Sequence, residues 1–239
     1  MAELSSDQQD IKAKFIARRG YWRPWTEVLL HHDAQFVADY ADYAGYPAQH
    51  GSLSARMVEL IYVALDSSAT HLFEPGLVTH LQKAREAGAS TADLLDVLHI
   101  VACQGLSGVF AGAEILAQET GLSGPQSMPA DLREQVDRVL PHAGDSISML
   151  AALDPGYLRC VLAFLDHDGP AGGLDAGERS LIEIALHACF TGFSADMLRQ
   201  SIRAALAAGR CPAEIMTAMQ LTAHLSVHGT ALAASHLEP

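Results

Sequence analysis

The feature that most constrains this chain is that it matches itself at an offset of 121 residues. Leu53, Leu60, Ile61, Ala64 and Leu65 meet Leu174, Leu181, Ile182, Ala185 and Leu186, and Thr70 and Leu77 meet Thr191 and Leu198. Farther along, Ala84, Ala87, Gly88, Ala92, Ala102, Gly108 and Ala113 meet Ala205, Ala208, Gly209, Ala213, Ala223, Gly229 and Ala234. The match needs no gap over roughly sixty positions, so the chain repeats one supersecondary unit whose apolar face needs a neighbour to cover it.

Within each copy the apolar residues recur at helical spacing and the alternation of a strand is missing, which predicts an all-α fold. The first core helix is expected from the N-cap Ser54 to about Thr70. A second follows Pro75 and stops at Gly88. The third starts at Ser90 or Thr91 and runs towards Gln118. In the second copy the same boundaries fall near Leu174, Ser194, Gly209 and Pro212. Leader helices Asp33 to Ala44 and Asp154 to Asp166 precede the two copies. The Gly-, Ser- and Pro-rich stretch Gly121 to Pro129 marks a seam, across which the amphipathic run Leu132 to Leu140 packs. The organisation predicted is a leader and first repeat over 1–120, a connector over 121–153 and a second, degenerate repeat over 154–239. Two fused copies that cover each other's apolar faces form a covalent pseudo-dimer.

Composition narrows the functions. With 239 residues, 49% of them apolar, the chain can bury a sizeable core. The polar start from Met1 to Lys14 and the lack of about 18 uninterrupted apolar residues argue against a signal peptide or membrane span, pointing to the cytoplasm. A formal charge of −13, with scattered basic residues, argues against nucleic-acid binding, which needs Lys and Arg on phosphates. Cys103, Cys160, Cys189 and Cys211 form no CxxC, so they are read as reduced, mostly buried thiols.

Against this scaffold two polar residues stand out. Glu59 sits between Val58 and Leu60 in an apolar helix, where a carboxylate is costly unless paired. His80 opens HLQKAREAGAS on the next helix, which faces back in an antiparallel hairpin. Their partners in copy two are Ser180 and Ser201, neither a practical general acid or base. A purely architectural role would serve both halves alike, so the predicted catalytic pair is Glu59 and His80, in copy one only. His71 lies near the helix junction. Asp96, His99 and Cys103 share one face of the third helix, so His99 is a candidate for the same pocket. Arg23 and Trp25, from the cluster Tyr21 to Trp25, are candidates for a cleft wall, with Arg23 suited to a substrate carboxylate. His224 and His228 have the i, i+4 spacing of a metal pair, yet no HExxH or nearby carboxylate completes it, and no metal is assigned. No GxSxG elbow and no Gly-rich phosphate loop are present.

The segments LSARMVELIYVAL and HLQKAREAGASTADLLDVL, followed by the Ala- and Gly-rich third helix, resemble the carboxymuconolactone decarboxylase family of the AhpD-like superfamily. GYWRPWTEVLLHHD and THLFEPGLVTH look like its two-copy branch. The resemblance implies an AhpD-like helical fold and carries the family's pocket glutamate and histidine over to Glu59 and His80. Val58 stands where an arginine usually precedes the glutamate, two residues are inserted between glutamate and histidine, and the third helix has Gln104 and Gly108 for the usual tyrosine and proline. The peroxidase branch's CxxC would fall near His71 to Glu74, where there is no cysteine, so thiol peroxidase activity is not expected. The implied reading is a cofactor-independent lyase or isomerase for a small unsaturated lactone or carboxylate, with Gln104, His71, His99, Arg23 and Trp25 around the substrate. A hydrolase or lactonase, a metal enzyme using His71, His80 and Glu59, or a noncatalytic binding module are the alternatives. The resemblance also implies oligomerisation: single-copy relatives assemble as hexamers built from dimers, which implies a homo-trimer, or a dimer, for a fused pair.

Overall fold

The computed structural model describes residues 3–122, 127–141, 144–167, 169 and 171–237. Among them are fourteen α-helices, one 3-10 turn and no strand. The first half comprises α1 (Ser6–Arg19), α2 (Pro24–His32), α3 (Ala34–His50), α4 (Ala55–Ser67), α5 (Glu74–Glu86), α6 (Thr91–Ala102) and α7 (Leu106–Glu119). The second comprises α8 (Ala130–Val139), α9 (Asp145–Leu153), α10 (Pro155–Leu165), α11 (Ala176–Ala188), α12 (Ala195–Ala207), α13 (Pro212–Ala223), the turn His224–Ser226 and α14 (Val227–Ala234).

The register of 121 is kept in three dimensions: α4, α5 and α6 begin and end 121 residues before α11, α12 and α13. The start of each hairpin is set by side-chain caps. Ser54 Oγ accepts from Met57 N at 3.2 Å, and Ser194 Oγ from Met197 N at 3.5 Å. The leaders are capped alike: Asp33 Oδ1 accepts from Phe36 N at 3.0 Å and Asp154 Oδ1 from Tyr157 N at 2.9 Å. Two expectations need correction. The 121–153 stretch is more than a connector, because α8 and α9 stand at the stations of α1 and α2. Part of the Gly121 to Pro129 seam lies outside the described residues. The expected single third helix is two, α6 and α7, broken at Cys103 to Gly105. Cys103 N is shared there between the carbonyls of His99, at 3.2 Å, and Ile100, at 3.1 Å. The break lets the chain change direction and leave its own repeat.

That departure builds the pseudo-dimer. A central core joins α4, α5 and α6 to α11, α12 and α13, with Leu60, Ile61, Leu181 and Ile182 fully buried. The last helix of each half then packs on the opposite half. Phe110 and Ala113 of α7 are buried with Leu132, Ile147, Leu150 and Leu158 of α8 to α10. Val227, Ala231 and Ala234 of α14 are buried with Phe15, Trp25, Leu30 and Val37 of α1 to α3. Each half thus completes the other, and neither leader bundle has a closed apolar core of its own.

A polar clasp repeats the exchange. Asp96 on α6 accepts from Leu174 N at 2.8 Å and pairs with Arg179 at 2.7 Å, while Thr217 on α13 accepts from Ser52 N at 3.1 Å. Asp96 is therefore committed to holding the halves together and does not join a pocket face. The run Thr91–Glu119 is long and apolar enough, by length and composition, to cross a membrane, with a mean hydropathy of 1.6. It is interrupted by the α6–α7 break, and Phe110, Ala113 and Ala117 are buried in protein. Of the thiols, Cys189 is buried and Cys103 half-buried, whereas Cys160 and Cys211 are exposed.

Candidate active site

Glu59 and His80 come together because α4 and α5 form an antiparallel hairpin. Nδ1 of His80 lies 2.6 Å from Oε2 of Glu59, and both side chains are largely buried. The Tyr62 ring, one turn beyond Glu59, packs on the imidazole with centroids 4.5 Å apart. Burial lowers the His80 pKa and the Glu59 carboxylate opposes that shift. With Nδ1 occupied by Glu59, Nε2 of His80 points to Asp66, whose Oδ2 is 4.0 Å away.

Asp66 is a residue that sequence reasoning passed over. It is 3% exposed on α4 and follows Glu59 at i, i+7, so both carboxylates lie on one helical face. Burial pushes its pKa up to about 7, against the pull of Arg23. His71 lies on its other side, with Nε2 3.7 Å from Asp66 Oδ1 and 2.7 Å from Nδ1 of His228. The loop that presents His71 turns through Leu72 at φ 48°, a left-handed conformation unusual for leucine. His228 belongs to α14 and enters from the second half through the helix exchange. Phe73 stacks on its ring with centroids 3.7 Å apart. Burial lowers the pKa of His71 and takes that of His228 to about 3.

Behind them a buried arginine, also missed, closes the pocket. Arg19 donates from Nη1 to Ala44 O at 2.7 Å and its Nη2 lies 3.2 Å from His224 Nε2. His224 and His228 are thus not a pair for one ion, since His224 is held by Arg19 while His228 meets His71. The signal for them was their position on the helix that copy two lends to copy one. No periodicity reports such a loan.

The remaining sequence candidates divide. Arg23 stands at the rim of this site, donating from Nη2 to Pro75 O at 3.0 Å and to Thr79 Oγ1 at 3.1 Å. Trp25 does not line a cleft: it is 8% exposed in the α1–α3 core, 6.0 Å from the Tyr40 ring. Its apolar bulk is used to seal the layer on which α14 docks. His99 and Gln104 do not join Glu59 and His80 either. They line a separate cavity of about 320 Å3 in the second half, because α6 runs past α11.

That cavity carries its own polar constellation. Ser201 Oγ lies 3.3 Å from Glu183 Oε2 and 3.2 Å from His187 Nδ1, with the Gln104 amide and Cys103 on the opposite wall. Burial pushes the Glu183 pKa up to about 6 and that of His187 down to about 4. The expectation that only copy one is equipped for proton transfer is therefore too narrow. Alignment by repeat compared Glu59 with Ser180 and missed that copy two places its acid at the Tyr62 station and its imidazole at the Asp66 station. Ser180 itself only donates to Ala176 O at 3.0 Å. This cavity is separate from the Glu59–His80 site, where His71 meets His228.

Comparison with known proteins agrees with this architecture. Residues 34–119 match the model of the carboxymuconolactone decarboxylase family. The chain is similar over 97% of its length to a crystal structure from Burkholderia xenovorans LB400, of which it covers 96%, with a TM-score of 0.87 and 24% identity. That protein is provisionally named a gamma-carboxymuconolactone decarboxylase subunit. No curated protein sequence matches the chain. The match to the family model thus falls on the first repeat, which carries Glu59 and His80, and the whole chain has the all-helical fold of that neighbour.

Proposed function

We propose that the chain is a proton-transferring lyase or isomerase for a small unsaturated lactone or carboxylate, with Glu59 and His80 as its working pair. The observation that carries this reading is the 2.6 Å contact between His80 Nδ1 and Glu59 Oε2, which fixes the tautomer and leaves Nε2 free of Glu59, on the side of Asp66. In decarboxylation, the bond to the departing carboxylate breaks and its electrons pass through the conjugated alkene into the lactone carbonyl, giving a dienolate. His80, once it has taken a proton from solvent at Nε2 and become an imidazolium paired with Glu59, delivers that proton to carbon and returns to the neutral ring. In isomerisation the neutral imidazole removes one proton and returns it at the far end of the same dienolate. Glu59 orients the ring and stabilises the imidazolium in either sequence. The family of the first repeat and the name of the structural neighbour both support a decarboxylase-like role.

Turnover of gamma-carboxymuconolactone and simpler unsaturated lactones, followed by loss of CO2 and by proton exchange with D2O, tests this reading. Full turnover in folded Glu59→Gln and His80→Gln variants would overturn it. A second reading is favoured by the 320 Å3 cavity, where Glu183, Ser201 and His187 offer an acid and an imidazole on one wall. A chain that loses turnover in Glu183→Gln but keeps it in Glu59→Gln uses that cavity instead.

A further inference from the structure

We propose that Asp66, His71 and His228 form a binding site for a divalent ion of the zinc class, next to the imidazole of His80. The three residues come from α4, the strained loop after it and the helix lent by the second half. One potential ligand atom from each lies within 4.8 Å of the others. His71 Nε2 and His228 Nδ1 are 2.7 Å apart, and Asp66 Oδ1 is 3.7 Å from His71 Nε2. Tetrahedral zinc with nitrogen ligands at about 2.0–2.1 Å separates them by roughly 3.3 Å, so the imidazole pair must part by only about 0.6 Å.

Three independent features fit the ion. The donor set of two imidazoles and one carboxylate is borderline in softness and leaves a coordination position open, as catalytic zinc sites do. Asp66 is buried with its oxygens 3.7 and 4.0 Å from the nearest nitrogens of His71 and His80, too far for a direct hydrogen bond to either ring and placed to turn to a cation between them. The ring planes are already held: Phe73 stacks on His228, and the His71 and His228 rings stack with centroids 4.8 Å apart. Gly76 makes room for the carboxylate, since a Cβ there would overlap Asp66 Oδ2.

The ion's role rests on the proton-transfer reading above; its binding does not. Beside His80, whose Nε2 is 4.0 Å from Asp66 Oδ2, it would take a substrate carbonyl or carboxylate oxygen and hold the charge that develops there while His80 moves the proton.

The test uses the full-length chain stripped with chelator and titrated with Zn2+ by calorimetry, with the absorption spectrum of the Co2+ form as a second readout. One ion per chain is expected, with an intense visible spectrum. Affinity should fall at least 100-fold in His71→Gln, His228→Gln and Asp66→Asn, while His99→Gln, outside the site, binds as wild type. Absence of stoichiometric binding, or unchanged binding in the three variants with native circular dichroism, overturns the proposal. Zinc binding that persists in Glu59→Gln while that variant keeps full turnover would overturn the reaction reading and leave the metal site standing.

Discussion

Tyr62 and Glu183 occupy the same station of the repeat, 121 residues apart, on the helices that face each other across the central core. In the first half that station carries an aromatic wall against His80, and in the second a carboxylate bonded to Ser201. The duplication has kept the scaffold and moved the chemistry one helical turn along it, giving two polar pockets of different composition in one chain.

If His80 transfers the proton and Glu59 orients it, His80→Gln should lower kcat by about 100-fold or more, the scale of general acid–base catalysis. Glu59→Gln should cost less and should also shift the acidic limb of the pH–rate profile to lower pH, because the carboxylate opposes the loss of His80 basicity on burial. Steady-state kinetics across pH 5–9 read both effects.

The second pocket should reveal itself in stability. Glu183 has a folded pKa near 6, above its ordinary value of 4.5, so its ionisation weakens the fold as pH rises through that window. Glu183→Gln should therefore stabilise the protein at pH 7.5 by on the order of 1 kcal/mol, discounted for the open side of the cavity, and leave it unchanged near pH 4. Urea denaturation at the two pH values decides the matter. His187, whose folded pKa is near 4, acts in the opposite sense: wild type and variant alike lose stability as pH falls from 6.5 towards 4.

The clasp between the halves should matter more than an exposed ion pair. Asp96→Ala leaves Arg179, 32% exposed, without its partner and the buried Leu174 N without an acceptor, and is expected to cost about 2 kcal/mol. Thr217→Val, which removes only the neutral counterpart at Ser52 N, should cost about 1 kcal/mol. Thermal melts of the two variants rank them.

Leu95, Leu98, Val109, Ile115 and Leu116 leave an apolar stripe exposed along α6 and α7. We propose that further copies of the chain cover it, as trimer closure would, since the other face of α7 is already used within the chain. Light scattering should give about three times the 25.5 kDa chain mass, and Ile115→Glu with Leu116→Glu should return the monomer. A monodisperse monomer in the wild type would remove the proposal.

The all-helical class, the hairpin boundaries and the Glu59–His80 pair were legible in the chain. Each is written locally: as a cap at Ser54 or Ser194, as spacing along one helix, or as a carboxylate and a histidine on adjoining helices. The repeat itself was plain because identical scaffold positions recur at a constant offset. The tertiary structure alone decided that α7 and α14 cross to the opposite half, since nothing local distinguishes a helix that packs on its own leader from one that packs on its copy. That exchange brings His228 to Asp66 and His71, and the packing of α6 past α11 sets His99 and Gln104 beside Glu183, residues scores of positions apart in sequence. The same packing separates His99 and Gln104 from Glu59 and His80. Sequence spacing fixes which side of a helix a group occupies; only packing decides which other helix that side meets.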